Sequence, residues 1–297
     1  MLLRFFLKRI SLKKEISSPC AFRVEEIKIW RLFVSIYNQD ISNIFKKKKA
    51  LIGYITLGDP SVELTYEYGC TLIENGVDII EIGMPFSDPI ADGPVIQASH
   101  QRALSTNEDV SLRQAFKLIT KLKKRFPKTP IVIMTAINLV IQYSVEKCFK
   151  DAKACGCDGF ILPDCSIEMA TDYTKQARKA QISLIHLISP LCSSSRLKKI
   201  VNASEGFLYL ISSTGITGER DAFATNLSHI IKSIKAVKDI PVAVGFGISK
   251  PDHVRDIYSF ADGAIVGSHL IQVIAKHKDK NKTCEALKKS IKTLLKT

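Results

Sequence analysis

Eight short apolar runs, each followed by a stretch with helical periodicity, predict an α/β protein of the (β/α)8, or TIM-barrel, class. The runs are continuously apolar rather than alternating, which is expected of parallel strands buried on both faces. Together the units span about 250 residues, the usual length of such a barrel. A doubly wound open sheet is the structural alternative, but it usually has fewer strands, and no G-x-G-x-x-G segment follows the first run.

The individual elements follow from apolar runs, helical spacing and turn residues. We predict strands at 51–56, 77–82, 130–135, 159–163, 182–188, 206–211, 241–244 and 263–266. We predict helices after residue 61, near 95, and at 111–126, 145–155, 168–180, 194–201, 226–237 and 251–258, with further helices closing the chain. Two boundaries carry explicit signals: Ser61 is a helix cap after Asp59-Pro60, and Gly156 ends the helix before it.

Residues 1–37 differ from the rest and are predicted to be a basic N-terminal extension, with the barrel occupying residues 38–297. The extension has neither the long apolar core nor the small-residue cleavage site of a secretory signal. A transit peptide is one interpretation, although Glu15, Glu25 and Glu26 count against it. A translated upstream region explains the segment equally well.

The formal net charge of +14 is concentrated at the two ends of the chain. Residues 1–50 carry twelve Lys and Arg against four Asp and Glu, and residues 276–297 carry eight Lys against two acids. The neutral body between them gives no indication of a nucleic-acid surface. No apolar run approaches the ~18 residues of a membrane span. We therefore expect a cytoplasmic protein, or a plastid-type organellar one if residues 1–37 are a transit peptide.

The eight cysteines are scattered and do not predict a metal site. Cys155-Gly156-Cys157 is C-x-C rather than C-x-x-C, and no histidine lies near it. The pattern is typical of a reducing compartment.

The stretch 81–94 is the strongest functional signal in the sequence. Glu81 ends a buried strand, and the following loop is too rich in Pro and Asp to be a packing element. The loop can fold back and bring Glu81 and Asp92 to one cavity. The alternative is structural, with Glu81 paired to a lysine and Asp92 capping the helix near Val95. Spacing alone does not choose between the two.

Three glycine-bearing loops follow the last three predicted strands and favour a phosphate site. They are Gly215–Gly218, Gly245-Phe246-Gly247 and Gly267-Ser268. In a barrel the loops after the strands share one face. Glycines let backbone N–H groups approach a phosphate, and the helix that starts at Ser268 adds a partial positive charge. Tight turns alone are the simpler explanation for one loop, but three together favour phosphate.

The residues at the predicted strand ends suit only a few types of reaction. Asp164 and Tyr209 also lie there, but no lysine suited to a Schiff base and no histidine cluster does. Two carboxylates, a tyrosine and a phosphate site suit proton transfer during the making or breaking of a carbon–carbon bond.

The sequence resembles the tryptophan synthase alpha chain from about Ile41 to its C-terminus. The resemblance rests on Pro85-Phe-Ser-Asp-Pro-Ile-Ala-Asp-Gly-Pro94, which is very specific, and on segments 53–60, 212–218, 245–249 and 263–268. It implies retro-aldol cleavage of indole-3-glycerol phosphate to indole and glyceraldehyde 3-phosphate, with no cofactor in this chain. It also implies a beta-chain partner in an α2β2 heterotetramer, where pyridoxal phosphate joins indole to serine.

The resemblance also implies roles for individual residues. Glu81 would protonate indole C3 and accept the proton of the glycerol hydroxyl, while Asp92 would bind the indole N–H. Tyr209 would hold the Glu81 end of the site. The phosphate would be bound by Gly218, Gly247, Gly267 and Ser268. The indole pocket would be lined by Tyr54, Ile96 and Met134, any of which could instead be plain core, and Thr217 would contact Asp92 on loop closure.

Two departures from the family pattern leave alternatives open. Ser213 stands where an arginine is expected, and Ala136 stands where a tyrosine is usual. They favour an alpha chain that mainly binds and activates its beta chain, whereas the intact Glu81 and Asp92 favour a lyase. Another phosphosugar barrel of amino-acid biosynthesis would share the glycines but would not explain the acidic loop.

Overall fold

The computed structural model describes residues 41–89, 92–211, 220–245 and 247–296, with the backbone alone for residues 220–226. The boundary predicted at residue 37 lies outside this range. Within it no helix is both long and apolar enough to cross a bilayer.

The described residues contain nine parallel strands in one sheet, arranged as a nearly closed barrel. The strands are β1 Ala50–Thr56, β2 Ile79–Gly83, β3 Ile131–Met134, β4 Gly159–Ile161, β5 Ser183–Ile185, β6 Leu187–Ile188, β7 Leu208–Ile211, β8 Val242–Gly245 and β9 Gly263–Val266. Their order is β5-β4-β3-β2-β1-β9-β8-β7-β6. This order confirms the predicted barrel, with helices packed outside it.

The predicted fifth strand is divided at His186 into β5 and β6. β5 pairs with β4, whereas β6 pairs with β7, so one continuous segment joins the two ends of the sheet. The backbone carbonyl of His186 accepts a hydrogen bond from the Tyr209 N–H at 3.1 Å. The division therefore marks the point at which the chain changes partners to close the barrel.

The helices surround the sheet in chain order. They are α1 Ser42–Lys47, α2 Val62–Glu74, α3 Pro94–Leu104, α4 Leu112–Arg125, α5 Ile137–Tyr143, α6 Val145–Cys155, α7 Ala170–Lys179, α8 Ser194–Ala203, α9 Arg220–Val237, α10 Pro251–Phe260, α11 Ser268–Lys276 and α12 Lys280–Leu294. Both predicted boundary signals are confirmed. Ser61 accepts a hydrogen bond from the Leu64 N–H, and Gly156 adopts a left-handed conformation with φ of 89°.

The barrel interior is filled by one apolar side chain from nearly every strand. This cluster contains Ile41, Ile52, Ile79, Val132, Ile161, Ile185, Phe207, Ala243 and Ile265. Helix α1, which the sequence did not predict, adds Phe45, whose ring lies 5.5 Å from that of Phe207. Because Phe207 precedes β7, this packing closes the end of the barrel where the strands begin. The opposite end is left for the site.

Candidate active site

Glu81 is buried without a hydrogen-bond partner among the described residues. It lies in β2, in register with Tyr54 of β1 and Val132 of β3, and its side chain is 1% exposed. Neither carboxylate oxygen has a partner there, so the alternative of a lysine pair is not observed. Burial, followed by the negative charge of Asp92, raises the pKa of Glu81 to about 8. A carboxyl that is protonated near neutral pH can act as an acid.

Asp92 precedes α3 but does not cap it. The N-cap is Gly93, and no side chain caps this helix. The backbone carbonyl of Asp92 accepts a hydrogen bond from Gln97 at 2.7 Å, which fixes the end of the acidic loop. Burial raises the pKa of Asp92, and the neighbouring His100 opposes the rise. The structure thus gives Asp92 no helix-capping role.

A cavity at the ends of the strands includes Asp92 in its lining, whereas Glu81 is not among the lining residues. It is lined by Tyr54, Gly83, Met84, Phe86, Asp88, Pro89, Asp92, His100, Met134, Thr135, Ala136, Pro163 and Asp164. The lining includes the predicted pocket residues Tyr54 and Met134. It also includes Ala136, at the position where the family resemblance leads one to expect a tyrosine. A smaller side chain there widens this part of the cavity.

Asp164 also lines the cavity, but its contacts are structural. Both its carboxylate oxygens accept from the Ile137 N–H, at 2.9 and 3.1 Å. This arrangement places a negative charge at the N-terminus of α5, where it is favourable. We therefore assign Asp164 to the support of α5 rather than to chemistry.

Two tyrosines lie over glycines of adjacent strands. A Cβ atom at Gly83 would collide with the Tyr54 hydroxyl, and one at Gly245 would lie 2.6 Å from the Tyr209 hydroxyl. Burial, with Glu81 and Asp92 as further causes, raises the pKa of Tyr209 well above its usual value. Burial and Asp92 do the same for Tyr54. Both hydroxyls remain protonated and are placed near the carboxylates.

The described residues of the predicted phosphate site are Gly247, Gly267 and Ser268. Gly247 has a φ of 43°, and a Cβ there would meet no described atom within 4 Å. Gly267 is the N-cap of α11, which begins at Ser268. A Cβ on Gly267 would lie 3.5 Å from Tyr54 and 3.7 Å from Ile96, two of the residues predicted to line the indole pocket. Thr217 and Gly218 lie outside the described residues, as does Ser213.

Three buried polar residues beside the cavity were not predicted from the sequence. They are Thr56 on β1 and Ser99 and His100 on α3, which are 1%, 0% and 4% exposed. A signal was present, because His100 follows Ile96 by four residues and so shares its helix face. In the part of the chain that the structure covers, no group of three His, Cys, Asp or Glu is placed to hold a metal ion.

Comparison of the sequence with known proteins finds similarity to an established family. The family model described as tryptophan synthase alpha chain matches residues 42–296. The tryptophan synthase alpha chain of Thermoanaerobacter sp. strain X514 is 40% identical over 247 residues, 83% of this chain and 93% of that one. That of Methanocaldococcus jannaschii is 41% identical over 236 residues, covering 80% and 83%.

Solved structures agree with these relatives. A chain from the tryptophan synthase α2β2 complex of Pyrococcus furiosus superposes with a TM-score of 0.77 at 37% identity, covering 84% of this chain and 99% of that one. A chain from the M. tuberculosis enzyme gives 0.76 at 30% identity, covering 86% and 98%. The buried Glu81, the acidic loop and the glycine turns thus lie in a scaffold that these proteins share. The chain belongs to the tryptophan synthase alpha chain family.

Proposed function

We propose that this chain cleaves indole-3-glycerol phosphate with Glu81 as the proton-transfer group and Asp92 as the group that binds the indole N–H. The observation that carries the proposal is the buried Glu81 carboxyl, which has no partner among the described residues and is protonated near neutral pH. A catalytic acid needs this combination, whereas a structural carboxylate would be paired.

The reaction breaks the bond between indole C3 and the glycerol carbon that carries the hydroxyl. Protonated Glu81 gives its proton to indole C3, which places positive charge on the indole ring. Ionised Asp92 stabilises this charge through the indole N–H. The carboxylate of Glu81 then takes the hydroxyl proton as the carbon–carbon bond breaks, which yields the aldehyde and indole. Glu81 ends protonated, as it began.

The two carboxylates are suited to different protonation states. Glu81 is almost fully buried, and the charge of Asp92 further favours its protonated form. Burial raises the pKa of Asp92 as well, but Asp92 is only partly buried and His100 opposes the rise. Pairs of acids whose environments separate their pKa values divide the acid and electrostatic roles in this way.

The remaining predicted residues would position the substrate. The phosphate would bind the backbone near Gly247 and the start of α11 at Ser268, with Gly218 and Thr217 contributing from the loop after β7. Tyr209 would keep the Glu81 side chain in place. Tyr54, Ile96 and Met134 would contact the indole ring.

The proposed partner is a beta chain that carries pyridoxal phosphate and consumes the indole, in an α2β2 assembly. The solved P. furiosus complex is described as α2β2 and as mutually activating. This chain itself would need no cofactor for the cleavage, since each step is a proton transfer or a bond cleavage within the substrate.

A second candidate is an alpha chain that activates the beta chain with little cleavage of its own. It is favoured by Ala136 in the cavity lining and by Ser213 in the loop sequence. A steady-state assay of indole release, with and without beta chain, separates the two candidates. Cleavage that Glu81→Gln abolishes supports the lyase; activation of the beta chain without cleavage in either condition would replace it with the second candidate.

A further inference from the structure

His100 lies in the wall of the candidate active-site cavity. It is on α3, six residues after the helix start at Pro94, and it is 4% exposed. Its Nε2 lies 3.2 Å from the Tyr54 hydroxyl, within hydrogen-bond distance. Its Nδ1 is buried with no hydrogen-bond partner among the described residues. A buried imidazole with one open nitrogen in a reaction cavity is an expensive feature for packing alone.

The hydrogen bonds around Tyr54 leave His100 as its close partner. Ser99 donates to the carbonyl of Ile96 at 2.7 Å. The Thr56 and Ser99 hydroxyls are 2.6 Å apart, so the Thr56 proton goes to Ser99. The contact from Thr56 to the Tyr54 hydroxyl is longer, at 3.4 Å. The 3.2 Å bond to His100 is therefore what orients the Tyr54 hydroxyl within the described residues.

Tyr54 transmits this orientation to the reacting region. It lies in register with Glu81, and its hydroxyl lies directly over Gly83 at the end of β2. Its ring also adjoins Gly267, at the start of the helix assigned to phosphate. A displacement of Tyr54 would thus disturb the indole pocket between the proton-transfer group and the phosphate.

His100 also lies among charges that determine which form of its ring is stable. The pKa of His100 is lowered from its ordinary value, chiefly by burial, and Asp92, the backbone of Phe86 and Asp59 oppose this only in part. The neutral ring is therefore the favoured form near neutral pH, and its Nε2 can share the Tyr54 hydroxyl proton.

The other charged groups around His100 are engaged elsewhere. On its own helix, Arg102 makes a bidentate pair with Asp59, at 2.8 and 2.7 Å. On α11, which packs against α3, the His269 ring bonds to Ser290 of α12 at 2.8 Å, and Lys276 is exposed at the helix end. On β2, Glu81 is protonated near neutral pH. The Tyr54 hydroxyl is thus the group to which His100 is hydrogen-bonded within the described residues.

We propose that His100 is a positioning residue of the cleavage site, which orients the Tyr54 hydroxyl over Gly83 at the end of β2. The proposal rests on the proposed function, because it assigns a task to Tyr54 in the indole pocket of that reaction. It adds to the proposed site a residue that belongs neither to the acidic loop nor to the glycine turns.

Two variants test the hydrogen bond between His100 and Tyr54. His100→Gln keeps a polar group that can reach Tyr54, while His100→Leu has none. The control is His186→Gln, since His186 is also buried but lies at the strand division and is not among the residues that line the cavity. Each chain is assayed with beta chain for kcat and kcat/KM of indole-3-glycerol phosphate cleavage between pH 5.5 and 9, and its urea midpoint is recorded.

We expect His100→Leu to lower kcat/KM by roughly 10- to 100-fold at the optimum, since the Tyr54 hydroxyl loses its hydrogen bond and a misplaced pocket is costly. His100→Gln should retain most of the parent activity, with an unchanged urea midpoint. If the Leu variant does not fold, His100→Asn, whose shorter side chain does not reach Tyr54, takes its place. His186→Gln should leave the profile unchanged.

The outcomes are distinguishable. An active parent chain whose kcat/KM is unchanged in both variants overturns the role of His100 and leaves the proposed function intact. Equal loss of kcat/KM in His100→Gln and His100→Leu shows that the hydrogen bond to Tyr54 is not the cause, and it also overturns the role. A parent chain that does not cleave with beta chain present overturns the proposed function and, with it, this proposal.

Discussion

Replacement of Glu81 by glutamine is expected to abolish cleavage and, at high pH, to stabilise the fold. The folded chain raises the pKa of Glu81 from an ordinary value of 4.5 to about 8. The folded state therefore binds this proton more tightly than the unfolded state does, and stability falls as pH rises from 4.5 through 8. Because the glutamine amide does not ionise, the stability of the variant does not fall with pH for this reason.

The size of the effect follows from the shift in pKa. Each unit corresponds to about 1.36 kcal/mol, so the ionised carboxyl costs at most about 5 kcal/mol. Relaxation and water entering the adjoining cavity reduce this cost, and we expect about 2–4 kcal/mol at pH 9. For a chain of this size that difference corresponds to roughly 5–15 °C in Tm. Below pH 4.5 the two chains should be nearly equal.

The measurement is urea unfolding of the parent chain and Glu81→Gln at pH 4, 7 and 9, beside the indole-release assay. The matched control is Glu146→Gln, an exposed acid whose side chain is 78% accessible. The control should show no gain that grows with pH. A Glu81→Gln variant whose stability gain is the same at all three pH values, or one with normal turnover, would refute the reasoning.

Four further predictions concern other parts of the chain. Gly247→Val should raise KM steeply in the indole-release assay, because the side chain would fill open space at the proposed phosphate position and strain a φ of 43°; an unchanged KM would move the phosphate elsewhere. Deletion of residues 1–37 should leave the barrel folded, and a large fall in Tm would contradict the predicted boundary. Lys123→Met should lower the free energy of unfolding, measured in urea, by about 3–5 kcal/mol, because it leaves the equally buried Asp158 carboxylate, 2.6 Å from the Lys123 ammonium, without its ion-pair partner. A smaller loss would mean that Asp158 reaches water. Ser213→Arg should raise the cleavage rate of the isolated chain and reduce its stimulation by the beta chain, because loop closure would depend less on binding of the partner. Unchanged cleavage rates with and without beta chain would exclude a role for this position.

The sequence specified most elements of the fold because their signals are local. Apolar runs, the Ser61 cap and the left-handed Gly156 depend on neighbouring residues, and each appears where predicted. Helix α1 escaped prediction because it is short and is stabilised by the packing of Phe45 on Phe207, a residue far away in the chain. The division of the fifth strand was not predicted for a similar reason, since it depends on which strands lie on either side of it in the sheet.

For the site, the sequence could nominate residues but could not choose between roles. Glu81 and Asp92 were candidates for a cavity or for a lysine pair and a helix cap. The structure leaves Glu81 without a partner among the described residues and gives the cap to Gly93. Asp164 was grouped with the strand-end acids, yet it holds the N-terminus of α5. These distinctions depend on contacts between segments rather than on residue type.

The sequence by itself determined that this protein is a barrel with two carboxylates and glycine turns at the strand ends, since period and residue type suffice for that. Only the tertiary structure decided how those groups behave. The raised pKa of Glu81 requires complete burial, which β1, β3 and the barrel closure provide together. His100 acquires its proposed task only because α3 lies against β1, which brings its ring to Tyr54, 46 residues away along the chain. Burial and pairing are properties of distance in space, and no local pattern encodes them.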